Sequence, residues 1–356
     1  MKNIRIAVLG MNQGYKFAKD ALTIPGVELV AVAGNNEQAE RRAQELEVPL
    51  YKNYQELIEE CQDLDGIIIT LPNGLHREVV ELCAEKGIHV LVEKPIAATV
   101  EDAEAMVNAA RKNQIKLLVG HHRRFSNKLI KLREIISSGA LGELTGVNML
   151  YMLAKDHSYF SEKWRLTQGG GPMLINGIHD IDTLLFVTGL TIKSAYTVMQ
   201  NKIRNNPVED TAAIILETVE GPIINYFLSD GTPSPWSYDS TAKENPKFAQ
   251  YEENCYKIFG TKASIAFPSF EIYTYDENHF GWEHKLQKSK VEVVDNDPMM
   301  AELLHFINIL NGKAEPFVTG EDGLETLKVI TAIKSSAERK QKVEINLYQQ
   351  KKKITQ

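Results

Sequence analysis

A lysine that follows a short, almost wholly apolar strand is the residue best placed to do chemistry in this sequence. The strand pattern covers His89–Val92, and Glu93-Lys94-Pro95 comes directly after it. Ligands of open parallel sheets bind outside the carboxyl ends of the strands, so Lys94 is expected at a ligand-binding edge. Partial desolvation lowers the pKa of an ammonium group. Lys94 could therefore exchange a proton near neutral pH; the alternative is a surface lysine in a turn.

A glycine-bearing turn follows the first strand pattern. Dinucleotide-binding turns use the spacing Gly-x-Gly-x-x-Gly, because the backbone must turn tightly and approach a pyrophosphate at a helix N-terminus. Here Gly10 stands at the first position, Asn12 at the second and Tyr15 at the third, with Gly14 one place early. We interpret Gly10, Asn12 and Gly14 as cofactor-binding residues; a structural turn without a ligand is the alternative.

The end of the second strand pattern carries no carboxylate. A dinucleotide site that selects NAD usually has an acidic residue there, for the adenosine ribose. This sequence has Gly34 and Asn35, and Glu37 already begins a helix pattern. Both Gly34 and Asn35 are predicted to contact the cofactor, and Asn35, with Arg41 or Arg42, could accommodate a 2′-phosphate. NADP is favoured, with NAD left open.

The elements around these residues indicate two domains. Up to residue 121, short apolar strands alternate with helices, which predicts a parallel, doubly wound sheet. Over residues 122–345, longer alternating strands follow one another and predict an α+β domain with a large open, mainly antiparallel sheet. Residues 346–356 are expected to form a flexible tail. The predicted strands of the second domain include Leu144–Leu153, Asp210–Val219, Ile223–Ser229 and Lys290–Val294, and its helices include 173–187, 298–310 and 321–339.

The composition excludes several classes of protein. The net charge is −7 over 356 residues, and the one cationic run, Lys351-Lys352-Lys353, lies in the tail, so a nucleic-acid-binding surface is not indicated. Cys61, Cys83 and Cys255 are far apart, and no metal-ligand spacing of cysteine or histidine occurs. No apolar stretch approaches the roughly 20 residues that span a bilayer. We expect a cytoplasmic protein without a metal.

Four blocks of sequence stand in a distinctive order and spacing: Thr70–His76, Gly87–Pro95, Gly120–Phe125, and Trp164-Arg165 with Gly169–Gly171 and Gly177–Asp182. Together they resemble the family of glucose–fructose oxidoreductase and inositol dehydrogenase. The resemblance extends from Ile4 to about Arg339. It implies a Rossmann domain followed by a domain built on an open antiparallel sheet, through which members form dimers or tetramers. It also implies NAD(P)-dependent oxidation or reduction of a sugar or polyol.

The resemblance gives roles to residues of the first domain. Lys94 is implied to be catalytic or substrate-positioning, Glu93 to contact the nicotinamide ribose, and Pro95 to follow a cis bond. His122 replaces the asparagine usual in the family and, with Arg123, is predicted to bind substrate. The remaining cofactor contacts implied by the family are Thr70, Pro72, Asn73, His76 and Arg165.

The resemblance also identifies His179 as a second catalytic candidate that binds substrate. The family places an aspartate four residues earlier, where this chain has Ile175, so a proton-relay carboxylate is missing. Asn176 could replace the lost contact with substrate or could cap local backbone. His179 could act as an acid–base group, bind a substrate hydroxyl, or be a buried core histidine.

Taken together, these features predict an NAD(P)-dependent dehydrogenase or reductase that acts on a sugar, polyol or sugar derivative. The alternatives are a glycoside-cleaving enzyme that recycles its NAD, and a non-catalytic NAD(P)-binding sensor. Expected partners are a small-molecule substrate and further copies of the chain, in a homodimer or homotetramer.

Overall fold

The computed structural model describes residues 3–345, except Gln168 and Glu277, so the predicted tail lies outside the described residues. The chain divides into two compact units. Unit 1 comprises the described residues up to Phe125 together with Asp297–Leu327. Unit 2 comprises Ser126–Asn296 and the described residues from Lys328 onward. Across the described part of the chain, no helix has both the length and the apolar character needed to cross a membrane.

Unit 1 is built on a six-stranded parallel sheet in the order β3-β2-β1-β4-β5-β6, as doubly wound nucleotide-binding folds have. The parallel prediction is confirmed. The strands are β1 Ile4–Leu9, β2 Val27–Ala33, β3 Leu50–Tyr51, β4 Gly66–Ile69, β5 His89–Glu93 and β6 Leu117–Gly120. The helices between them are α1 Gly14–Ala21, α2 Glu37–Leu46, α3 Tyr54–Glu60, α4 His76–Glu85 and α5 Val100–Lys112.

Local chemistry explains where these elements begin. The three isoleucines of β4 are fully buried, as expected of a strand with helices on both faces. Helices α2, α3 and α5 each begin after an Asn or Thr whose side chain accepts a hydrogen bond from the first turn. Neither β3 nor α3 was predicted from the sequence; β3 has two residues, too few to show an alternation.

A later segment of the chain completes unit 1. Helix α9 (Pro298–Leu310) buries Leu303 and Phe306 in the same core as the parallel sheet. Leu118 of β6 pairs with Thr319 in an antiparallel bridge. All of residues 122–345 were predicted to belong to the second domain, whereas residues 297–327 belong to the first unit. The sequence shows that these residues form apolar faces, but it does not show which sheet they pack against.

Unit 2 is built on a nine-stranded mixed sheet in the order β14-β13-β12-β11-β7-β10-β9-β8-β15. Its pairings are antiparallel except that of β7 with β10, which confirms the mainly antiparallel prediction. The strands are β7 Leu144–Met152, β8 Ile192–Gln200, β9 Thr211–Thr218, β10 Ile223–Ser229, β11 Tyr256–Gly260, β12 Ala263–Phe267, β13 Glu271–Thr274, β14 Gln287–Lys290 and β15 Val343–Glu344. The helices are α6 Asn127–Ser137, α7 Ile178–Thr188 and the short α8 Tyr238–Thr241, and α10 Gly320–Arg339 runs from unit 1 into unit 2.

Two elements of unit 2 differ from the sequence prediction. The predicted strand over Lys290–Val294 is wrong, since β14 ends at Lys290. Val291 and Val293 pack against the core without forming a ladder, so their alternation reflects burial alone. The helix predicted from residue 173 begins as a π-helical turn, Met173–Gly177, before the regular helix α7.

Candidate functional site

The turn after β1 packs directly on the end of β4. A Cβ on Gly10 would lie 2.6 Å from the carbonyl oxygen of Thr70, and one on Gly14 would lie 2.8 Å from the Thr70 hydroxyl. That hydroxyl donates to the Gly10 carbonyl at 2.7 Å and accepts from Gly14 N–H at 3.1 Å. Gly10 also has a φ of 91°, which favours glycine. Both glycines are therefore required by the fold of the turn.

The same turn leaves backbone donors available. The N–H groups of Asn12, Gln13 and Tyr15 donate to no other group among the described residues, and Asn12 and Gln13 are exposed. Donors of this kind at a helix N-terminus suit an anion such as a pyrophosphate. The residues present at this turn therefore fit a dinucleotide, in spite of the irregular glycine spacing.

The end of β2 lies beside the turn. A Cβ on Gly34 would lie 2.6 Å from that of Ala39, so a larger residue would displace α2. Asn35 is exposed, whereas Asn36 caps α2 by accepting from Ala39 N–H at 2.8 Å. The Arg42 guanidinium donates to the carbonyls of Met11 and Asn12. A permanent positive charge thus lies at the turn, and no carboxylate takes the place of Asn35.

The turn after β4 is held in place by a buried histidine. The His76 ring is fully buried. Its Nε2 lies 2.8 Å from the Leu71 carbonyl oxygen, and its Nδ1 lies 3.2 Å from that of Pro95 and 3.1 Å from that of Ile96. The ring therefore links the turn after β4 to the turn after β5. Pro72 is exposed and Asn73 half-buried on the same turn.

Lys94 follows β5, and its peptide bond to Pro95 is cis, as the family resemblance implied. The Lys94 side chain is half-buried. Glu93 is buried, and its carboxylate accepts from Lys94 N–H at 3.0 Å. Burial raises the pKa of Glu93, while the charge of Lys94 and this hydrogen bond oppose the rise.

Three of the predicted substrate-binding residues follow neighbouring strands of the parallel sheet, since Glu93 at the end of β5 pairs with Gly120 at the end of β6. Desolvation, followed by the positive charges of Arg123 and Lys94, lowers the pKa of His122 to about 3. His122 is therefore neutral at physiological pH and offers a hydrogen bond without a charge. Arg123 is buried, with 3% of its surface exposed. Lys94, His122 and Arg123 thus lie at one edge of the parallel sheet in unit 1.

In unit 2, His179 lies in the first turn of α7, directly after the π-helical turn. Its side chain is buried, with 8% exposed. The neighbouring Asp180 is fully buried and accepts from the hydroxyls of Tyr226 at 2.7 Å and Tyr256 at 2.6 Å. These bonds fix the first turn of α7 to the sheet, and they make Asp180 a structural residue.

Asn176 lies on the π-helical turn and contacts a lysine that the sequence analysis did not single out. Lys155 Nζ lies 2.7 Å from Asn176 Oδ1 and 3.2 Å from Asp230 Oδ2. Asp230 also pairs with Arg204. Lys155 and Asp230 follow β7 and β10, the parallel neighbours, so their side chains meet at one edge of the sheet. The sequence shows a charged residue just after each strand, but it does not show that the two strands are neighbours in the sheet.

Arg165 lies in unit 2, on a 3₁₀ turn spanning Lys163–Leu166. Its guanidinium donates to the Tyr159 carbonyl and lies 4.0 Å from the centre of the Tyr159 ring. The described contacts of Arg165 are thus local, and its predicted contact with cofactor stays a prediction.

Comparison with known proteins agrees with both units. Residues 4–121 match the family model described as an oxidoreductase family with an NAD-binding Rossmann fold, and residues 133–345 match its C-terminal alpha/beta domain. The myo-inositol 2-dehydrogenase of Thermotoga maritima is 24% identical over 96% of this chain and 98% of its own. The 1,5-anhydro-D-fructose reductase of Ensifer adhaerens is 27% identical over 80% of each.

A solved structure has the same fold. Scyllo-inositol dehydrogenase from Lactobacillus casei, with bound NAD(H) and scyllo-inositol, aligns with a TM-score of 0.76 at 19% identity, over 97% of this chain and 99% of that one. Since the two family models together match most of the sequence, the chain belongs to the Gfo/Idh/MocA family of oxidoreductases, with an NAD-binding Rossmann domain followed by the family's C-terminal α/β domain.

Proposed function

We propose that this chain oxidises or reduces a CH–OH group of a sugar, polyol or sugar derivative, with Lys94 moving the hydroxyl proton. The observation that carries the proposal is that Lys94, His122 and Arg123 follow the paired ends of β5 and β6, in the same unit as the glycine turn. The named activities of the relatives, on inositol and anhydrofructose, support the substrate class.

A nicotinamide, when bound, supplies the donor or acceptor of hydride. The turn of Gly10, Asn12 and Gly14 would hold its pyrophosphate, with Thr70, Pro72 and Asn73 on the neighbouring turn. Glu93 accepts from the N–H of Lys94, and it is assigned to a ribose hydroxyl of the cofactor. The Lys94 amine takes the hydroxyl proton in oxidation and returns it in reduction. Neutral His122 orients a substrate hydroxyl, and His179 of unit 2 is assigned to substrate as well.

NADP is the proposed cofactor. The end of β2 presents Asn35 instead of a carboxylate, and the Arg42 guanidinium lies at the neighbouring turn. A 2′-phosphate therefore meets a positive charge without carboxylate repulsion at that strand end. The substitution Arg42→Gln is expected to weaken NADPH more than NADH, measured by fluorescence titration of each. Equal effects on both would contradict the assignment.

A homo-oligomer is proposed through the outer face of the nine-stranded sheet. Tyr196 and Val198 of β8 and Ile215 of β9 are exposed by 46%, 58% and 47%, and Ile223 of β10 by 57%. Tyr196 pairs with Ile215 across the ladder, so these two apolar side chains are adjacent on the exposed face. Such faces mark association surfaces. The double variant Tyr196→Lys, Ile215→Lys is expected to reduce the mass measured by light scattering to that of one chain.

The direct test of function combines cofactor binding with turnover. Thermal shifts with NAD, NADH, NADP and NADPH identify the cofactor, because a ligand that binds the folded state raises the melting temperature. A panel of sugars, polyols and their oxo derivatives is then screened by the absorbance of reduced nicotinamide. Full activity in Lys94→Met would contradict the proposed role of Lys94, and cofactor binding without any turnover would favour a sensor.

A further inference from the structure

The contact between Lys155 and Asn176 decides which way the Asn176 amide faces. An ammonium group donates hydrogen bonds and cannot accept them, so the atom 2.7 Å from Lys155 Nζ must be the amide oxygen. The Lys155 side chain is only 8% exposed and also pairs with Asp230, whose side chain is 1% exposed. The lysine is therefore held in place and cannot readily swing away.

The other end of the Asn176 amide is available to a ligand. Its Nδ2 hydrogens have no hydrogen-bond partner among the residues that the structure describes, and the side chain is half-buried. Asn176 precedes His179 by three residues, across the junction between the π-helical turn and α7. With its oxygen occupied by Lys155, Asn176 can offer a ligand only donors.

We propose that Lys155 is a positioning residue that orients Asn176 to donate N–H groups to an acceptor-only oxygen of the substrate, a ketone or a carboxylate, and that this pair sets the substrate class. This rests on the proposed function. A carboxylate at the same place would accept hydrogen bonds and would favour a substrate hydroxyl. The replacement of the family aspartate by Ile175 removes one such carboxylate, which agrees with a site built to donate.

The test compares matched ligands on the enzyme saturated with its cofactor. Two pairs differ in one group: glucuronate against glucose for the carboxylate, and scyllo-inosose against myo-inositol for the ketone. Dissociation constants are measured by thermal shift, and KM and kcat wherever turnover occurs. In the unaltered protein, the acceptor-bearing member of at least one pair is expected to bind at least about ten-fold more tightly, and the pair that shows this identifies the group.

Two variants separate the roles. Asn176→Asp keeps the size of the side chain and its contact with Lys155, but it replaces the N–H donors by a charged acceptor. The preference for the ketone- or carboxylate-bearing ligand is therefore expected to fall at least about ten-fold or to reverse. Lys155→Met leaves Asp230 paired with Arg204, so the fold should persist, while the amide becomes able to flip; a smaller loss of preference is expected, through binding and KM rather than kcat.

The proposal is overturned if neither acceptor-bearing probe is preferred, or if Asn176→Asp leaves both preference ratios within about two-fold of their original values. Cofactor titration and the Lys94→Met variant report separately on the proposed function. If Lys94→Met abolishes turnover while Asn176→Asp leaves the preference ratios unchanged, the proposed function stands and only this inference is rejected.

Discussion

The turn after β5 in unit 1 and the π-helical turn in unit 2 position their polar side chains in different ways. At the Lys94 turn, several of the contacts are to backbone: the His76 ring lies against carbonyls of two turns, and Glu93 accepts from the next N–H. Around Asn176, they are between side chains from distant segments, Lys155 and Asp230. A backbone-held turn tolerates little change, whereas a side-chain network can change specificity and leave the fold intact. Substitutions at the Lys94 turn and the glycine turn should therefore lower activity or stability, and those around Asn176 should redirect activity.

The largest effect is expected at Lys94. In Lys94→Met, a side chain of similar length cannot move a proton, so kcat should fall by about 10²–10⁴-fold. Affinity for the cofactor should change little, because the backbone contacts of the turn remain. Stopped-flow or steady-state turnover, with fluorescence titration of the cofactor, measures both. Lys86→Met, at an exposed position directly after α4, is the control.

A backbone substitution at the glycine turn should come next. Gly10→Ala adds a Cβ 2.6 Å from the Thr70 carbonyl oxygen at a φ of 91°. The backbone strain alone costs about 1–3 kcal/mol, and the clash adds to it. Urea unfolding measures the free energy of unfolding, and cofactor affinity should fall in parallel.

Gly26→Ala is the matched control for that strain. Gly26 also has a positive φ, 80°, but a Cβ there would meet nothing within 4 Å. Gly26→Ala should therefore lower the free energy of unfolding through backbone strain alone, without a steric clash. Equal losses of stability in the two variants would mean that contact with Thr70 is unimportant.

The histidine of unit 2 should matter less than Lys94. His179→Asn removes an acid–base group but keeps a hydrogen-bonding side chain, so kcat/KM should fall by about ten- to a hundred-fold. The ratio between two substrates should shift more than in any variant of the Lys94 turn. An unchanged ratio would weaken the contrast drawn between the two units.

The smallest effect is a change in pH dependence. The pKa of His122 lies at about 3 in the folded protein, against 6.5 as its ordinary value. Between those values, the unfolded chain binds a proton that the folded chain does not, so this residue lowers stability as the pH falls below about 6.5. In His122→Asn, the urea concentration at the midpoint of unfolding should decrease less between pH 7 and pH 5 than it does in the unaltered protein. His157→Asn, at an exposed position, is the control.

How much could be predicted differs between the two units for a physical reason. In unit 1, strand and helix alternate locally, so the parallel sheet and the position of Lys94 follow from the pattern and the family motif. The strand predicted over His89–Val92 is β5, which extends one residue further, to Glu93. In unit 2, the strands were found, but their neighbours were not, because pairing across long loops leaves no local pattern.

The sequence by itself determined the parallel sheet, the residues of the Lys94 turn and the family. Only the tertiary structure decided that residues 297–327 complete the first unit, that the Thr70 hydroxyl fastens the glycine turn, and that Lys155 and Asp230 meet at Asn176. These contacts join residues far apart in the chain, and their partners are chosen by burial and strand order. Periodicity and motif spacing record neither.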